Sequence, residues 1–368
     1  MVKEKSIKNI LFVQDSSPCI RTIKLAAALQ SKGLNIYLAH RDKTPDEVYG
    51  LGNSAFRSLT RLPKYKFKDI RIIRRLIDER NIDLVHFSNE PDELGARLIK
   101  ANLKIPVIYD QHDFLSFKKK LSAKKRKQEQ ICNEEADGTV YITESYKKEV
   151  GKYYALIKNS ICFANYFSAD NVLKADEFLP KLSAKDGKKH LVYLGRITEY
   201  NNDHRNIVGV LRRIADEKIM IHIYPSKNKK YMQYNRIPNV VVHENLPYRR
   251  LIQQISQYDF GLTVFNDEVA SKLPHIRYAM GNKSYDYLCA GLPILAQESL
   301  DEVREFTLKN HFGFVLEERQ NYIDISPEEY SGLVEHIIRK RMQFSMESQI
   351  ERLIGFYTGT KKEFDSRI

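Results

Sequence analysis

Short apolar runs alternate with longer amphipathic stretches through the first half of the chain. The run NILFV from Asn9 predicts a β-strand, and the stretch after it carries Ile20, Ile23 and Ala27 at helical spacing. Gly33 ends that predicted helix before a second strand, NIYLAH. These elements form one β-α-β unit.

The same alternation continues along the chain. It predicts a basic helix IRIIRRLIDERN, a strand IDLVHF, a helix DELGARLIKANL and a strand IPVIYD. The strands are apolar throughout, which is typical of a parallel sheet with helices on both faces.

A polar stretch, KLSAKDGKKH, interrupts the alternation, and residues 166–189 are therefore predicted to be a linker. A second series of strands follows, HLVYLGR, KIMIHIY, NVVVHE, FGLTVF and PILAQ, with helices near Ile207–Ile214, at LIQQI and before PILAQ. The fold class is therefore α/β, with two doubly wound Rossmann-like domains at residues 1–165 and 190–345.

Length and composition agree with this organisation. The chain has 368 residues, of which 42% are hydrophobic, and a single core seldom grows past roughly 250–300 residues. The four cysteines form no C-x-x-C pair, which indicates neither a disulfide framework nor a zinc site and fits a reducing compartment. The N-terminus runs straight into the first strand, and no apolar stretch approaches the roughly 20 residues that span a bilayer. We expect a cytoplasmic protein, either soluble or bound at the inner face of the membrane.

The net charge of +13 favours partners that carry phosphate. The densest basic cluster runs from Lys118 to Lys127, with seven basic residues and no acid. It has two interpretations, a solvated helix face or a peripheral contact with an anionic membrane or another polyanion. We find no stripe of interleaved aromatic and basic residues, so a nucleic-acid partner is not expected.

Polar side chains follow the predicted strands, at the edge where open parallel sheets bind ligands. In the first half they are Asp15, Ser16, Ser17, His86, His112 and Asp113. In the second half they are Gly195, Arg196, Tyr224, Asn282 and Lys283.

Residues 276–296, IRYAMGNKSYDYLCAGLPILA, predict a helix whose N-terminus faces a ligand, with Asp286 in its first turn. Arg196 follows a strand on Gly195, and Lys283 lies beside the helix start, whose free N–H groups favour an anion. Together these groups suit a diphosphate. The sequence GNKS only imitates a Walker loop, and no D-x-D triplet occurs, so no metal site is predicted.

The same stretch resembles the segment N-K-x-[FY]-[ED]-Y-x-x-x-G-x-P-[IV]-[IL]-A of GT-B glycosyltransferases, particularly the large retaining family four. The run from IDLVHF to IPVIYDQHD, and the segments ADGTVYITES, LVYLGRI and SQIERLIGFYTGT, are similar to other parts of that family in the same order. The resemblance covers nearly the whole chain. It implies two domains that face each other across a cleft, with a C-terminal helix, residues 346–368, that returns to the N-terminal domain.

The resemblance also implies roles for individual residues. Asp286 would bond the ribose hydroxyls, Asn282 and Lys283 would line the phosphate end of the pocket, Arg196 would neutralise the leaving diphosphate, and His112 would lie near the transferred sugar. Gly195, Ser284, Tyr224 and Arg205 complete the candidates on the nucleotide side. The acceptor or sugar side would hold Asp15, Ser16, Ser17, His86 and Asp113.

Two positions depart from the family pattern. Tyr278 stands where many members carry an acid, eight residues before Asp286, and the second cation after Arg196 is not at the expected spacing. His204 and Arg205 are the available substitutes for that cation.

The implied activity is metal-independent transfer of a hexose from a nucleotide sugar, with UDP or GDP as the nucleotide, to a hydroxyl acceptor, with retained configuration. The commonest acceptor in this family is a cell-envelope glycan, either lipid-linked or a polysaccharide. Two alternatives stay open: a sugar-nucleotide epimerase of the same fold, and a catalytically inactive protein that binds a nucleotide or polyanion. The departures at Tyr278 and the second cation favour the latter.

Overall fold

The computed structural model describes residues 7–316 and 325–367, which form two compact units. Within the described residues, the first unit holds 7–164 and 346–367, and the second holds 165–316 and 325–345.

The first unit is built on a seven-stranded sheet. Its strands are β1 (Asn9–Gln14), β2 (Asn35–His40), β3 (Ser58–Arg61), β4 (Leu84–Ser88), β5 (Val107–Gln111), β6 (Gly138–Tyr141) and β7 (Ser160–Cys162). They pair in the order β3-β2-β1-β4-β5-β6-β7, and each pair is parallel. The expected doubly wound arrangement is confirmed, with three short strands, β3, β6 and β7, that the apolar pattern did not single out.

The second unit is built on a six-stranded sheet. Its strands are β8 (Lys189–Gly195), β9 (Ile219–Pro225), β10 (Val240–Val242), β11 (Phe260–Thr263), β12 (Ile294–Gln297) and β13 (Gly313–Leu316). They pair in the order β10-β9-β8-β11-β12-β13, again in parallel.

Helices connect the strands. The α-helices are α1 (Ile20–Ser31), α2 (Pro45–Tyr49), α3 (Asp69–Arg80), α4 (Glu93–Lys100), α5 (Leu115–Lys118), α6 (Ala123–Glu135), α7 (Glu144–Val150), α8 (Ser183–Asp186), α9 (Val208–Ile214), α10 (Met232–Asn235), α11 (Tyr248–Ile255), α12 (Asp267–Ala270), α13 (Pro274–Arg277), α14 (Asn282–Cys289), α15 (Asp301–Lys309), α16 (Pro327–Lys340) and α17 (Met346–Asp365). Short 3-10 helices lie at Asn53–Ala55, Lys66–Lys68, Ala169–Asn171, Ala175–Glu177 and Arg341–Phe344.

Apolar strand residues form the cores because each strand is covered on both faces. In the first unit β1, β4 and β5 pack against α3 and α4, with Val13, Ile73 and Leu98 buried. In the second unit β8, β9 and β11 pack against α9, with Ile221, Leu211 and Leu262 buried. This burial is the main favourable term in folding.

Residues 166–189, predicted as a linker, lie within the second unit. The Ser183 hydroxyl donates to the Asp259 carboxylate at 2.6 Å, and the Leu182 N–H donates to the Gln257 carbonyl at 2.9 Å. Polar residues in this stretch therefore fix it to the sheet that follows.

The C-terminal helix α17 packs on the first unit. Lys32 on α1 pairs with Glu351 at 2.9 Å, and the Asn159 amide donates to the Thr360 hydroxyl at 2.9 Å. The expected return of this helix to the N-terminal domain is confirmed. None of the helices in residues 7–316 and 325–367 is long and apolar enough to cross a bilayer.

Candidate nucleotide and acceptor sites

Strand β8 places Arg196, the residue that follows it, at the carboxyl edge of the second sheet. Gly195, its last residue, has φ +117, a conformation that side-chain-bearing residues rarely adopt. This turn leaves the next residue, Arg196, exposed. Its guanidinium forms no ion pair with another described residue. Burial raises the pKa of the Tyr231 hydroxyl, and the Arg196 charge partly opposes that effect.

Helix α14 is fixed beside this strand end by Tyr287. The Tyr287 hydroxyl donates to the Leu262 carbonyl at 2.7 Å and accepts from the Leu194 N–H at 3.2 Å. The ring lies directly on Gly261, where a Cβ would approach it to 2.2 Å. The N-terminus of α14 is therefore held at the edge where β8 and β11 end. Its N-cap residue is Gly281, which has no side chain to cap the helix.

Lys283, in the first turn of α14, has an ammonium group in a largely apolar environment. Its Nζ lies 4.0 Å from the ring centroid of Tyr193 and 4.5 Å from that of Phe265. Burial and the neighbouring Arg205 guanidinium lower the pKa of Lys283 to about 7, although Asp286 acts in the opposite direction. A desolvated cation beside a like charge is stabilised by any anion that binds there.

Arg205 brings a further positive charge to the same place, and His204 lies beside it. Burial, followed by the Arg205 charge, lowers the pKa of His204 to about 4, with Lys283 adding to the effect. The Nε2 atom of His204 is buried and has no hydrogen-bond partner in the described residues. Arg205, one of the two available substitutes for the second cation, therefore places its charge near Lys283.

Asp286 lies in the second turn of α14, because the helix begins at Asn282. The expectation that Asp286 lies in the first turn is wrong. From the second turn its side chain cannot cap the N-terminus of the helix. Instead its carboxylate accepts a hydrogen bond from the Tyr248 hydroxyl at 2.6 Å. A carboxylate held in this way can accept further hydrogen bonds from a ligand's hydroxyl groups.

Three other candidates on the nucleotide side differ in exposure. Asn282 is exposed at the start of α14. Ser284 is fully buried, and its hydroxyl pairs with the Thr263 hydroxyl at 3.1 Å. Tyr224 is also buried, with its hydroxyl 2.8 Å from that of Tyr258. The structure therefore gives Ser284 and Tyr224 contacts within the fold in place of the ligand contacts expected from the sequence.

The loop after β1 is occupied by internal contacts. The buried Asp15 carboxylate bonds Arg41 and lies 3.2 Å from the Lys66 ammonium. The Ser16 hydroxyl donates to the Ser17 carbonyl at 3.2 Å, and the Ser17 hydroxyl accepts from a backbone N–H at 3.1 Å. Asp15 therefore organises this edge of the first sheet and is not free to act as a base.

His86 cannot contact an acceptor, so its assignment to the acceptor side is corrected. Its side chain is fully buried on β4, and both ring nitrogens have protein partners: Asp110 at 3.3 Å and the Tyr357 hydroxyl at 2.6 Å. Burial lowers the pKa of His86, because charging the ring there costs solvation.

His112 follows β5 and lies beside Cys19, the residue that precedes helix α1. Although burial by itself lowers it, contact with Cys19 raises the pKa of His112 to about 9. The same contact lowers the pKa of the Cys19 thiol to about 6 against the effect of burial, with help from the Thr22 hydroxyl at 3.3 Å. Both shifts favour the charged forms of the two side chains.

Asn89 holds His112 and Asp113 in position. Its side-chain oxygen accepts from the N–H groups of both residues at 3.2 Å. The Asp113 carboxylate in turn pairs with Lys118 at 2.9 Å.

Sequence reasoning did not select Cys19 or Tyr248. Asn89 follows the end of β4 by one residue and lies in the stretch His86–Glu90 that the strand-end rule covers, although it was not given a role. No pattern in the sequence predicts that Cys19 lies beside His112 or that Tyr248 forms a hydrogen bond with Asp286. Within residues 7–316 and 325–367, no group of three or more His, Cys, Asp or Glu side chains is arranged to hold a metal ion.

Comparisons with known proteins agree with this geometry. Residues 20–162 match the family model described as Glycosyltransferase Family 4. A glycosyltransferase from Rickettsia africae ESF-5 is 13% identical, with a TM-score of 0.69 over 97% of this chain and 99% of that chain. Anabaena Alr3699/HepE, solved in complex with UDP-glucose, is 11% identical, with a TM-score of 0.60 over 98% of each chain. The lipopolysaccharide outer core galactosyltransferase WaaB is 13% identical, with a TM-score of 0.58 over 98% of this chain and 100% of that chain. No curated protein sequence matches the chain.

The two parallel-sheet units and these neighbours define the fold as that of the GT-B glycosyltransferases. Within that class, residues 20–162 are similar to the glycosyltransferase family 4 model. The resemblance expected from the sequence is confirmed, and a glycosyltransferase of the GT-B type is supported.

Proposed function

We propose that the chain transfers a hexose from a nucleoside diphosphate sugar, with UDP or GDP as the nucleotide, to a hydroxyl acceptor. The observation that carries this proposal is the ammonium of Lys283. It lies over two aromatic rings at the start of α14, with the Arg205 charge beside it. A bound diphosphate would relieve the repulsion between these cations at the positive end of the helix dipole.

Three cations would stabilise the transition state. As the glycosidic bond breaks, negative charge grows on the leaving diphosphate, and Arg196, Arg205 and Lys283 would meet it without reorganisation. Asp286 would accept hydrogen bonds from the ribose hydroxyls, with Tyr248 holding its carboxylate. Because protein groups supply the positive charge, we propose that no divalent metal is required.

We propose that the configuration is retained, with an oxygen of the leaving phosphate taking the proton of the acceptor hydroxyl. The contacts of Asp15 and Asp113, which follow β1 and β5, support this. Asp15 bonds Arg41 and Lys66, and Asp113 bonds Lys118, so both carboxylates are held as ion-pair partners. His112, charged beside Cys19, would then orient the transferred sugar as a hydrogen-bond donor.

The acceptor we propose is a cell-envelope glycan, either lipid-linked or a polysaccharide, at the cytoplasmic face of the membrane. The similarity to WaaB, a lipopolysaccharide outer core galactosyltransferase, supports this acceptor class. The basic segment from Lys118 to Lys127 supports a peripheral contact with an anionic membrane, since residues 122–127 are exposed.

A thermal-shift screen against UDP, GDP, ADP, TDP and CMP, with and without magnesium, tests the donor site, because a ligand that binds only the folded state raises its midpoint. We expect a shift with UDP or GDP that magnesium does not change. Asp286→Asn should reduce the shift with the nucleoside diphosphate and spare that with inorganic pyrophosphate, whereas Arg196→Gln should reduce both. Absence of any shift would contradict the proposal.

A turnover assay distinguishes the transferase from the two alternatives, an epimerase and an inactive binding protein. The matching UDP- or GDP-sugar should be consumed only in the presence of a glycan acceptor. Isomerisation of the donor without acceptor would indicate an epimerase, and binding without turnover against any glycan tested would indicate an inactive binding protein.

A further inference from the structure

The loop between β3 and α3, residues 62–69, exposes two large aromatic side chains. Tyr65 is 72% exposed and Phe67 is 73% exposed, and they alternate with Lys64, Lys66 and Lys68. The expectation that the chain lacks an interleaved basic and aromatic stretch is wrong at this loop. An exposed aromatic side chain does not gain the free energy that burial would give it. Two such side chains on one short loop therefore indicate a binding surface.

The loop is fixed at both ends and in the middle. Leu62 is buried, and its N–H donates to the backbone at 2.6 Å. Asp69 is buried and bonds Arg41 at 2.8 Å. The Lys66 ammonium pairs with Glu93 on α4 at 2.7 Å. These contacts preorganise the loop, so little conformational entropy would be lost when its exposed side chains bind.

Positive charge extends from this loop to the basic segment. The Glu93 carboxylate forms an ion pair with Lys66. The charges of Lys66 and of Lys124, at the start of α6, lower the pKa of the Glu93 carboxyl. Lys124 at the start of α6 therefore lies near the ion pair that Lys66 of the loop forms with Glu93.

We propose that the 62–69 loop docks the protein on an anionic phospholipid bilayer. The rings of Tyr65 and Phe67 enter the interfacial region, and Lys64 and Lys68 lie among the headgroups. Tyr side chains favour the membrane interface because an apolar ring and a polar tip match its two environments. Lysines near an anionic surface add electrostatic attraction that falls with salt.

Ring geometry favours this partner over single-stranded nucleic acid. The centroids of Tyr65 and Phe67 are 6.4 Å apart and the rings are tilted by 42°, so they form no flat platform. The Lys68 ammonium lies 5.5 Å from the Phe67 centroid and covers one ring face. Base stacking needs open faces, whereas insertion among lipid headgroups needs only exposed rings.

This inference extends the peripheral contact proposed above and rests on it for the choice of bilayer. Donor binding is measured separately, so the two proposals can fail independently.

The probe is co-sedimentation of the full chain with phosphatidylcholine vesicles, with and without phosphatidylglycerol. The variants are Tyr65→Ser/Phe67→Ser and Lys64→Gln/Lys68→Gln, which leave the Lys66 ion pairs intact. Tyr200→Ser is the matched control, because Tyr200 is 77% exposed and lies in the second unit.

We expect the wild type and Tyr200→Ser to bind only the anionic vesicles. Both loop variants should bind more weakly, the lysine pair by roughly thirty-fold, and all proteins should keep the same thermal shift with UDP or GDP. Unchanged vesicle binding by the aromatic variant would overturn the proposal. So would tight binding of a poly-dT oligonucleotide that this variant loses while no protein binds vesicles.

Discussion

The Tyr357 hydroxyl donates a hydrogen bond of 2.6 Å to Nδ1 of His86, although the two residues are 271 positions apart. The other ring nitrogen, Nε2, donates to the buried Asp110 carboxylate, which Arg21 also holds at 2.8 Å. The Asp110 contact fixes the imidazole tautomer, so Nδ1 is an acceptor and needs the Tyr357 proton. This chain of contacts joins α17 to β4, β5 and α1.

Removal of the Tyr357 hydroxyl should destabilise the first unit. Tyr357→Phe keeps the ring but leaves Nδ1 of His86 buried without a donor, which costs about 1–3 kcal/mol. Urea unfolding monitored by circular dichroism should give a lower midpoint for this variant. Tyr200→Phe is the control, because that side chain is exposed, and its midpoint should not move. Equal midpoints for all three proteins would mean that the contact adds nothing to stability.

Binding of UDP or GDP should weaken as pH rises. The pKa of Lys283, lowered to about 7, leaves its ammonium charged below neutral pH and increasingly neutral above it. A charge-assisted hydrogen bond contributes roughly 1.5–3 kcal/mol, so affinity should fall about ten-fold or more between slightly acid and slightly alkaline buffer.

Lys283→Arg supplies the control for this pH dependence, since an arginine stays charged throughout the range. Isothermal titration calorimetry at several pH values should show a steep slope for the wild type and a shallower slope for the variant. Identical slopes would exclude Lys283 as the cause of the pH dependence.

Cys19 should react with iodoacetamide faster than the other cysteines. The thiolate is the reactive form, and contact with His112 lowers the pKa of Cys19 to about 6. Peptide mapping by mass spectrometry after brief treatment should find Cys19 labelled first. His112→Asn should slow this reaction by about ten-fold or more, because the thiolate fraction at neutral pH falls. Cys162, also partly exposed, is the internal reference. An unchanged ratio of labelling at the two cysteines would contradict the pairing.

A row of three histidines should make the second unit sensitive to acid. His190 Nδ1 lies 2.9 Å from His222 Nε2, and His222 Nδ1 lies 2.9 Å from His243 Nε2. Asp186 ends the row at 3.1 Å from His190, and the Tyr258 ring stacks on His222 at 4.3 Å. Burial and the two neighbouring histidines lower the pKa of His222 from 6.5 to about 3.

The sign of this effect follows from the lowered pKa. Above about pH 6.5 His222 is neutral in both states, and its full contribution to stability is present. As pH falls from there toward about 3, the unfolded chain binds a proton that the folded chain does not. Stability is then lost at about 1.4 kcal/mol per pH unit for each such proton.

The thermal midpoint should therefore fall as pH drops below 6.5. His222→Phe should flatten that decline, and the exposed control His311→Asn should not. Equal slopes in all three proteins would exclude the histidine row as the cause.

Much of the fold was determined by the sequence alone. Alternating apolar runs and amphipathic stretches predicted the strands β1, β2, β4, β5, β8, β9, β10, β11 and β12, because a strand buried on both faces must be apolar throughout. The strand-end rule brought Arg196, Lys283 and His112 into consideration, since parallel strands end at one edge.

Tertiary structure alone decided which of those polar residues can meet a ligand. The sequence does not reveal that Ser284 turns toward Thr263, that His86 lies between Asp110 and Tyr357, or that Arg205 comes beside Lys283. Each contact joins residues that are distant in the chain, so it depends on strand register and side-chain packing. The period of the apolar pattern fixes which elements form, whereas the exposure and charge of a side chain depend on neighbours that only the folded chain brings together.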